Sequence, residues 1–271
     1  MFKRIMQIFQ KKFPYQDKVE VVVLGHQKTG TTVIASLLAK ISKFSMSSDP
    51  LYVLDQGSGN TAELLIEKPD LISKYTEKHP KLFAKQIIKD PDFIFLYPSI
   101  KSYYLNAKFI YVLRDPRDTI RSICNRLGMS GTDRIINPVI SDMERGNHHW
   151  ELLLSGSLPK QNEAISETLS FVKKLAYRWC LSNDIYNQYQ DDMLLVKYED
   201  FLKDKEKSIA DVANELGVNC KQSISQFVDI QYQPKGNSKV DWLEFFGDEH
   251  LHAIEDICSN QMKMYGYKPY F

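Results

Sequence analysis

The stretch Gly25-His26-Gln27-Lys28-Thr29-Gly30-Thr31-Thr32 joins the apolar run 19–24 to residues 31–41, whose apolar side chains recur at helical spacing. This order predicts a buried strand, a loop with a glycine near each end, and a helix. Such a loop turns backbone N–H groups toward one anion, and the helix N-terminus adds its dipole. The stretch therefore predicts a phosphate-binding loop.

The position of the lysine separates this loop from that of a nucleoside-triphosphate enzyme. The spacing matches GxxxxGK[ST], but Thr31 stands where the lysine is expected, and Lys28 comes three residues earlier. A triphosphate loop uses its lysine on the β- and γ-phosphates and its hydroxyl on Mg²⁺. The displaced lysine favours an anion with fewer phosphates, where it meets the bridging oxygen of a leaving group. A P-loop kinase or NTPase and a chance glycine turn are the alternatives.

A second motif lies in FIYVLRDPRDTIRSICNRL, residues 109–127. Arg114 follows an apolar strand at its carboxyl end, where open α/β sheets bind ligands. Ser122 comes eight residues later, about two helical turns on. The two side chains can close on one phosphate, with Arg114 supplying a planar fork of donors. The alternative is a salt bridge from Arg114 to Asp115 or Asp118 at the start of the helix.

Strands and helices alternate along the chain. Apolar runs at 85–88, 108–113 and 193–196 predict further strands, and helices are predicted at 31–41, 116–127, 169–189 and 205–216. The alternation predicts an α/β fold with a parallel sheet and helices on both faces. We expect one domain over residues 1–271, with an N-terminal extension at 1–17. Residues 128–162, rich in Gly, Ser, Asn and Pro, are expected to form a lid or substrate insertion.

Composition limits the partners. The 271 residues carry 35 basic and 34 acidic side chains, so no global basic field favours nucleic acid, and any anion site must be local. The four cysteines form no CxxC pair and no histidine stands at zinc spacing, so we expect reduced thiols and no metal. The first residues lack the continuous apolar core of a signal peptide or membrane span. We expect a cytoplasmic protein without a transmembrane anchor.

The two motifs, in this order, resemble the 5′-phosphosulfate loop and the 3′-phosphate motif of sulfotransferases. The resemblance extends through AYRW at 176–179 and LLVKYEDFL at 194–202, and more weakly to Lys235-Gly236 followed by Trp242, where Pro234 replaces the family's arginine. It implies the family's three-layer P-loop fold, with a parallel sheet of about five strands. It also implies a sulfotransferase that moves a sulfuryl group from 3′-phosphoadenosine 5′-phosphosulfate (PAPS), its co-substrate, to an acceptor hydroxyl or amine, with no metal required.

The resemblance also implies roles for individual residues. Lys28 would stabilise the charge that grows on the departing 3′,5′-bisphosphate. Tyr198 would lie near the adenine, unless it only packs at the end of a strand. The cofactor-binding residues implied are Gln27, Lys28, Thr29, Gly30, Thr31, Thr32, Arg114, Ser122, Tyr198, Lys235 and Gly236.

The general base is where the chain departs from the family. Pro91 stands at the position of the family's catalytic histidine, and Ile88 at that of its glutamate. We predict Asp90 as the base, with Lys89 orienting the sulfuryl group. A turn cap before Pro91 is the equally weighted alternative for Asp90. The other candidates for the base are Asp55, Glu63, His148 and His149.

The acceptor follows from weaker signals. The absence of the histidine disfavours phenol and steroid acceptors, and polar insertions at 45–65 and 128–162 favour a carbohydrate or glycoconjugate. Tyr52, Tyr103 and Trp150 are available to stack on sugar rings. A small phenol or lipid alcohol remains the alternative acceptor, and a non-catalytic anion-binding module the alternative function. The sequence leaves the oligomeric state open.

Overall fold

The computed structural model describes residues 15–55, 61–133, 169–232 and 239–271. Within these residues, five strands form one parallel sheet in the order β2-β3-β1-β4-β5. The strands are β1 (Val21–Gly25), β2 (Met46–Ser48), β3 (Ile87–Lys89), β4 (Lys108–Leu113) and β5 (Met193–Lys197). The predicted α/β class, with a central parallel sheet between helices, is confirmed.

Helices connect and cover the strands. The described α-helices are α1 (Thr31–Ser42), α2 (Pro50–Asp55), α3 (Thr61–Glu67), α4 (Ile72–Lys78), α5 (Pro80–Phe83), α6 (Tyr97–Tyr103), α7 (Pro116–Leu127), α8 (Phe171–Gln188), α9 (Tyr198–Lys203), α10 (Lys205–Glu215) and α11 (Trp242–Met264). Short 3₁₀ turns lie at Gln16–Lys18, Pro69–Leu71, Pro91–Leu96, Gln190–Asp192 and Ser225–Phe227. Helix α7 has the predicted bounds, because Pro116 occupies its first turn and Gly128 ends it in a left-handed conformation.

Strand β1 is buried on both faces, which gives the three layers. Val21 and Val23 pack in one apolar cluster with residues of α1 and α10. Val22 and Leu24 point the other way, into a larger cluster that includes residues of α7, α8 and α11. Successive side chains of a strand alternate between faces, so a continuous apolar run suits a sheet with helices on both sides.

The order of the strands fixes where a ligand can bind. The chain builds β3 and β2 on one side of β1, and β4 and β5 on the other. In open α/β sheets the crevice between the oppositely directed connections, at the carboxyl ends of the strands, is the binding position. Here that crevice lies at the carboxyl ends of β1 and β4. The glycine loop follows β1, and Arg114 follows β4.

The structure adds one strand that the apolar pattern did not predict. Strand β2 has only three residues, two of them serines, and pairs along one side with β3 at the edge of the sheet. Of the expected extension and insertion, residues 1–14 and 134–162 lie outside the described residues, and the single domain stays a prediction. None of the described helices has the length and apolar character needed to cross a membrane.

Candidate active site

The glycine loop turns tightly between β1 and α1. The backbone N–H and the hydroxyl of Thr29 both donate to the carbonyl of His26, at 3.3 and 2.8 Å. Lys28 adopts φ +67° and Gly30 φ +102°. A lysine in the left-handed region is uncommon, and such conformations persist only where the surroundings hold them. No side chain caps the N-terminus of α1, and the first N–H groups of a helix, which have no partner within the helix, can bind an anion.

Gly30 is needed because Tyr198 lies against it. A Cβ placed on Gly30 would lie 2.3 Å from Cδ2 of the Tyr198 ring. Tyr198 begins α9 directly after β5, so the ring reaches the loop from the neighbouring strand. Because Gly30 has no Cβ, the tyrosine ring can pack directly against the loop.

Gly30→Ala is expected to destabilise the fold by about 2 kcal/mol or more, because both the positive φ and the tyrosine ring oppose a Cβ. Thermal unfolding checks this, and a drop of about 4 °C or more corresponds to that loss. Gly217→Ala is the matched control, since Gly217 has φ +67° and nothing within 4 Å of its added Cβ. Tyr198→Ala in the Gly30→Ala background should recover part of the loss. Equal losses at Gly30 and Gly217 would contradict the steric explanation.

Arg114 and Lys28 lie at the same place. The Arg114 NH1 group donates to the Lys28 carbonyl at 3.0 Å, and the guanidinium carbon lies 4.7 Å from the centre of the Tyr198 ring. The guanidinium is also 3.8 Å from Asp118, so the alternative salt bridge is present at long range. The Arg114 Nε atom is buried with no hydrogen-bond partner among the described residues.

Positive charge converges on the loop. Burial lowers the pKa of the Lys28 ammonium to about 8. Three neighbouring cations act in the same direction, in decreasing order Arg126, Arg114 and Lys89. Arg126 lies on α7 four residues after Ser122, so the two share a helix face, and Ser122 is partly exposed. Arg126 was not among the residues predicted from the sequence, although its spacing of four from Ser122 was a readable signal.

A buried network of hydrogen bonds and an ion pair connects the loop to the protein interior. The Gln27 amide donates to Asp92 at 2.6 Å, and Arg178 of α8 pairs with the same carboxylate oxygen. Arg178 and Asp92 are almost fully buried, at 1% and 2% exposure. The side chain of Gln27 is therefore engaged inside the protein, and the role of Gln27 in cofactor binding stays a prediction. Burial, with the charge of Arg178, lowers the pKa of His26 to about 3, so this loop histidine is neutral.

The predicted general base has backbone partners. One oxygen of Asp90 accepts the N–H of Asp92 at 3.0 Å, and the other accepts that of Leu51 at 2.9 Å. Asp90 is 1% exposed and forms the N-cap of the 3₁₀ turn that follows. This geometry matches the turn-cap alternative, and a catalytic role for Asp90 stays a prediction. Lys89 is also buried, and its ammonium contacts both carboxylate oxygens of Asp49 at 2.6 and 2.5 Å.

One acceptor-stacking candidate is wrong. Tyr103 is 3% exposed, and its ring packs edge-on against Tyr104 with centroids 4.8 Å apart. The ring belongs to the core because α6 turns it inward, so it cannot stack on a sugar. Tyr52 is partly exposed on α2.

Several other predicted residues cannot be placed. His148, His149, Trp150, Lys235 and Gly236 lie outside the described residues, as do the side chains of Asp55 and Glu63. Trp242, which follows the Lys235-Gly236 pair, donates from Nε1 to Asp118 at 2.8 Å and so rests against the start of α7. Among the described residues, no cluster of three or more His, Cys, Asp or Glu side chains could hold a metal ion.

Comparisons with known proteins identify the family and the fold. The family model described as a sulfotransferase domain matches residues 18–234. The solved structure of sulfotransferase STF9 from Mycobacterium avium is similar with a TM-score of 0.55 at 12% identity, covering 98% of this chain and 81% of that chain. This likeness shows the fold.

Two further structures are similar at lower scores. Mouse sulfotransferase SULT7A1 complexed with PAP has a TM-score of 0.49 at 15% identity, covering 94% of this chain and 90% of that chain. Sulfotransferase STF1 from Mycobacterium tuberculosis has a TM-score of 0.48 at 12% identity, covering 94% of this chain and 81% of that chain. No curated protein sequence matches the chain.

Proposed function

Because the chain belongs to the sulfotransferase domain family, whose model spans residues 18–234, we propose that it takes the sulfuryl group from PAPS and transfers it to a hydroxyl of a carbohydrate or glycoconjugate. Sulfuryl transfer is the activity of the family. The donor, the roles of the residues and the class of acceptor are the content of the proposal.

The observation that carries the proposal is the meeting of Lys28 and Arg114 at one loop. The hydrogen bond from the Arg114 guanidinium to the Lys28 carbonyl, at 3.0 Å, puts the two motifs of the sequence at one site. A donor with a phosphate at each end of its ribose needs two separate groups of cations and N–H donors within one ligand length. The buried Nε of Arg114, without a partner among the described residues, suits a phosphate oxygen.

We assign the donor-binding residues as follows. The loop N–H groups of Gly30, Thr31 and Thr32 would hold the 5′-phosphate at the N-terminus of α1, and the N–H of Thr29 would join them by exchanging its 3.3 Å bond to the His26 carbonyl for the phosphate. Arg114 and Ser122 would hold the 3′-phosphate, which ATP lacks. Tyr198 would flank the adenine, and Lys235 with Gly236 would close over the 3′-phosphate.

Catalysis in this proposal is positioning plus charge stabilisation. When PAPS is bound, its sulfuryl group passes in line between two oxygens, much as a phosphoryl group does. The Lys28 ammonium stands at the loop to stabilise the charge on the bridging oxygen of the leaving group. Lys28 and the neighbouring cations together supply the positive charge, so the proposal requires no metal.

The donor site is tested by ligand binding. Adenosine 3′,5′-bisphosphate (PAP) should raise the melting temperature without Mg²⁺, while ATP–Mg²⁺ should do little. The alternative, a P-loop kinase or NTPase, predicts the opposite order. Stabilisation by ATP–Mg²⁺ and not by PAP would remove the proposed function.

Arg114→Ala should weaken PAP binding about 10- to 100-fold, because a hydrogen bond between charged groups contributes about 1.5–3 kcal/mol. Binding of 5′-AMP, which has no 3′-phosphate, should change much less. Calorimetric titration of both nucleotides measures this, and 5′-AMP serves as the internal control for damage to the loop. Equal losses for the two nucleotides would show that Arg114 supports the loop and does not read the 3′-phosphate.

The pKa of Lys28 gives a pH prediction. The ammonium must be charged to bind and stabilise the donor, and its pKa is lowered to about 8. The charge is therefore lost as the pH rises through this value, so kcat/KM should fall above about pH 8. In Lys28→Arg this alkaline limb should move out of the measurable range, because a guanidinium stays protonated. An unchanged alkaline limb in that variant would contradict the assignment.

The proposal of a saccharide acceptor rests on the polar composition of residues 45–65 and 128–162. It also rests on Tyr52, which is partly exposed on α2. It is tested with a panel of alkyl glycosides, phenols and aliphatic alcohols, followed by the release of PAP from PAPS. Turnover that exceeds the rate with water only for phenols or lipid alcohols would replace the carbohydrate with that class.

A further inference from the structure

We propose that Asp49 is the general base of the reaction and that Lys89 holds it in place, because their side chains meet at the carboxyl ends of two adjacent strands beside the glycine loop. The inference rests on the proposed function. It replaces Asp90, which the sequence favoured, with a carboxylate that the sequence did not single out.

Asp49 is held at the end of β2 by three contacts. Its N–H donates to the Lys89 carbonyl at 2.6 Å. Its carboxylate receives the Lys89 ammonium on both oxygens, and the Ser48 hydroxyl donates to Oδ2 at 2.8 Å. Asp49 also adopts φ +51°, in the left-handed region that aspartate enters more readily than most residues with a side chain.

Exposure distinguishes Asp49 from the other carboxylates nearby. The Asp49 side chain is 33% exposed, although its partner Lys89 is only 2% exposed. Asp90 and Asp92 are almost fully buried. Asp90 binds two backbone amides, and Asp92 is engaged by Gln27 and Arg178. Of these three carboxylates, Asp49 is the one that an acceptor hydroxyl can reach.

The pairing of the strands places Asp49 beside the reacting group. Lys89 lies opposite Val23 of β1 and opposite Ser48 of β2. The lysine thus stands between the strand that leads into the loop and the strand that ends at Asp49. Its charge also acts on Lys28, whose pKa it helps to lower. The buried Lys89 ammonium keeps Asp49 oriented, while a third of the Asp49 side chain stays exposed at the carboxyl end of the sheet.

The proton balance of the step is complete. The acceptor oxygen forms a new bond to sulfur, and the bond from sulfur to the bridging phosphate oxygen breaks. The electron pair of that bond stays on the departing nucleotide, near Lys28. The hydroxyl proton passes to a carboxylate oxygen of Asp49, which afterwards releases it to solvent through its exposed side.

Asp49→Asn tests the proposal. Asparagine keeps the size of the side chain and tolerates positive φ, so the fold should persist. Transfer from PAPS to water and to methyl galactoside should fall about 10²- to 10⁴-fold, the usual contribution of a general base. Transfer to p-nitrophenol, which is ionised at mildly alkaline pH, should fall much less. Stabilisation by PAP should be unchanged.

A control removes the same charge elsewhere. Asp211→Asn breaks a surface pair with Lys207 at 2.5 Å on α10, away from the sheet edge, and should leave all rates unchanged. Transfer to water in Asp49→Asn within 3-fold of the wild-type rate would overturn the proposal. An equal loss of rate for all acceptors would also overturn the proposal. It would show that Asp49 only balances the charge of Lys89 and does not accept the proton of the acceptor. Absence of PAP stabilisation in the wild-type protein would instead count against the proposed function.

Discussion

Lys28→Met is expected to lower kcat for sulfuryl transfer by about 10²- to 10³-fold, the usual loss when one pre-positioned group that stabilises transition-state charge is removed. The ammonium lies in a loop where burial and three cations already act on it. Under the proposed function, its removal would take away the positive charge assigned to the bridging oxygen of the leaving group. The release of PAP from PAPS measures the loss.

The control for this prediction is Lys28→Arg, which keeps the charge but changes its geometry. It should retain more activity than Lys28→Met, and both variants carry a side chain at the same positive φ, so backbone strain is matched. PAP binding should weaken less than kcat falls, because the lysine acts most strongly on charge that develops during the reaction. A kcat within 3-fold of wild type in Lys28→Met would contradict the assigned role.

Arg178→Met is expected to destabilise the protein by about 3–5 kcal/mol, because it leaves the carboxylate of Asp92 buried without its charged partner. Arg178 and Asp92 are 1% and 2% exposed, so water cannot replace the lost contact. Chemical denaturation measures the change in the free energy of unfolding. PAP binding should also weaken, since Gln27 of the loop shares the same network.

The double variant Arg178→Met with Asp92→Leu should recover much of that stability, because it removes both buried charges. If the double variant is as unstable as the single one, packing of the arginine against Phe95 explains the loss better than its charge. The guanidinium carbon lies 4.2 Å from the centre of that ring. Weak PAP binding in a stable double variant would show that the network positions the loop.

Some residues of the candidate site could be predicted from local sequence patterns, and others could not. The loop, Arg114 and Ser122 were readable because each belongs to one continuous segment in which a strand is followed by a turn and a helix. Their convergence was a prediction from motif order, and the contact of Arg114 with the Lys28 carbonyl spans 86 positions of the chain. Tyr103 shows the opposite case. Its residue type suited a sugar, but its place on α6 directs the ring into the core.

The sequence by itself determined the α/β class, the glycine loop between β1 and α1, and the strand-end arginine, because apolar periodicity and turn residues act over a few neighbouring positions. Only the tertiary structure decided which of Asp49, Asp90 and Asp92 keeps an exposed carboxylate. Strand β2 is too short and polar to be recognised, and Asp49 meets Lys89 across 40 positions. Burial of a side chain depends on which strands pair, and that pairing is a property of the whole sheet.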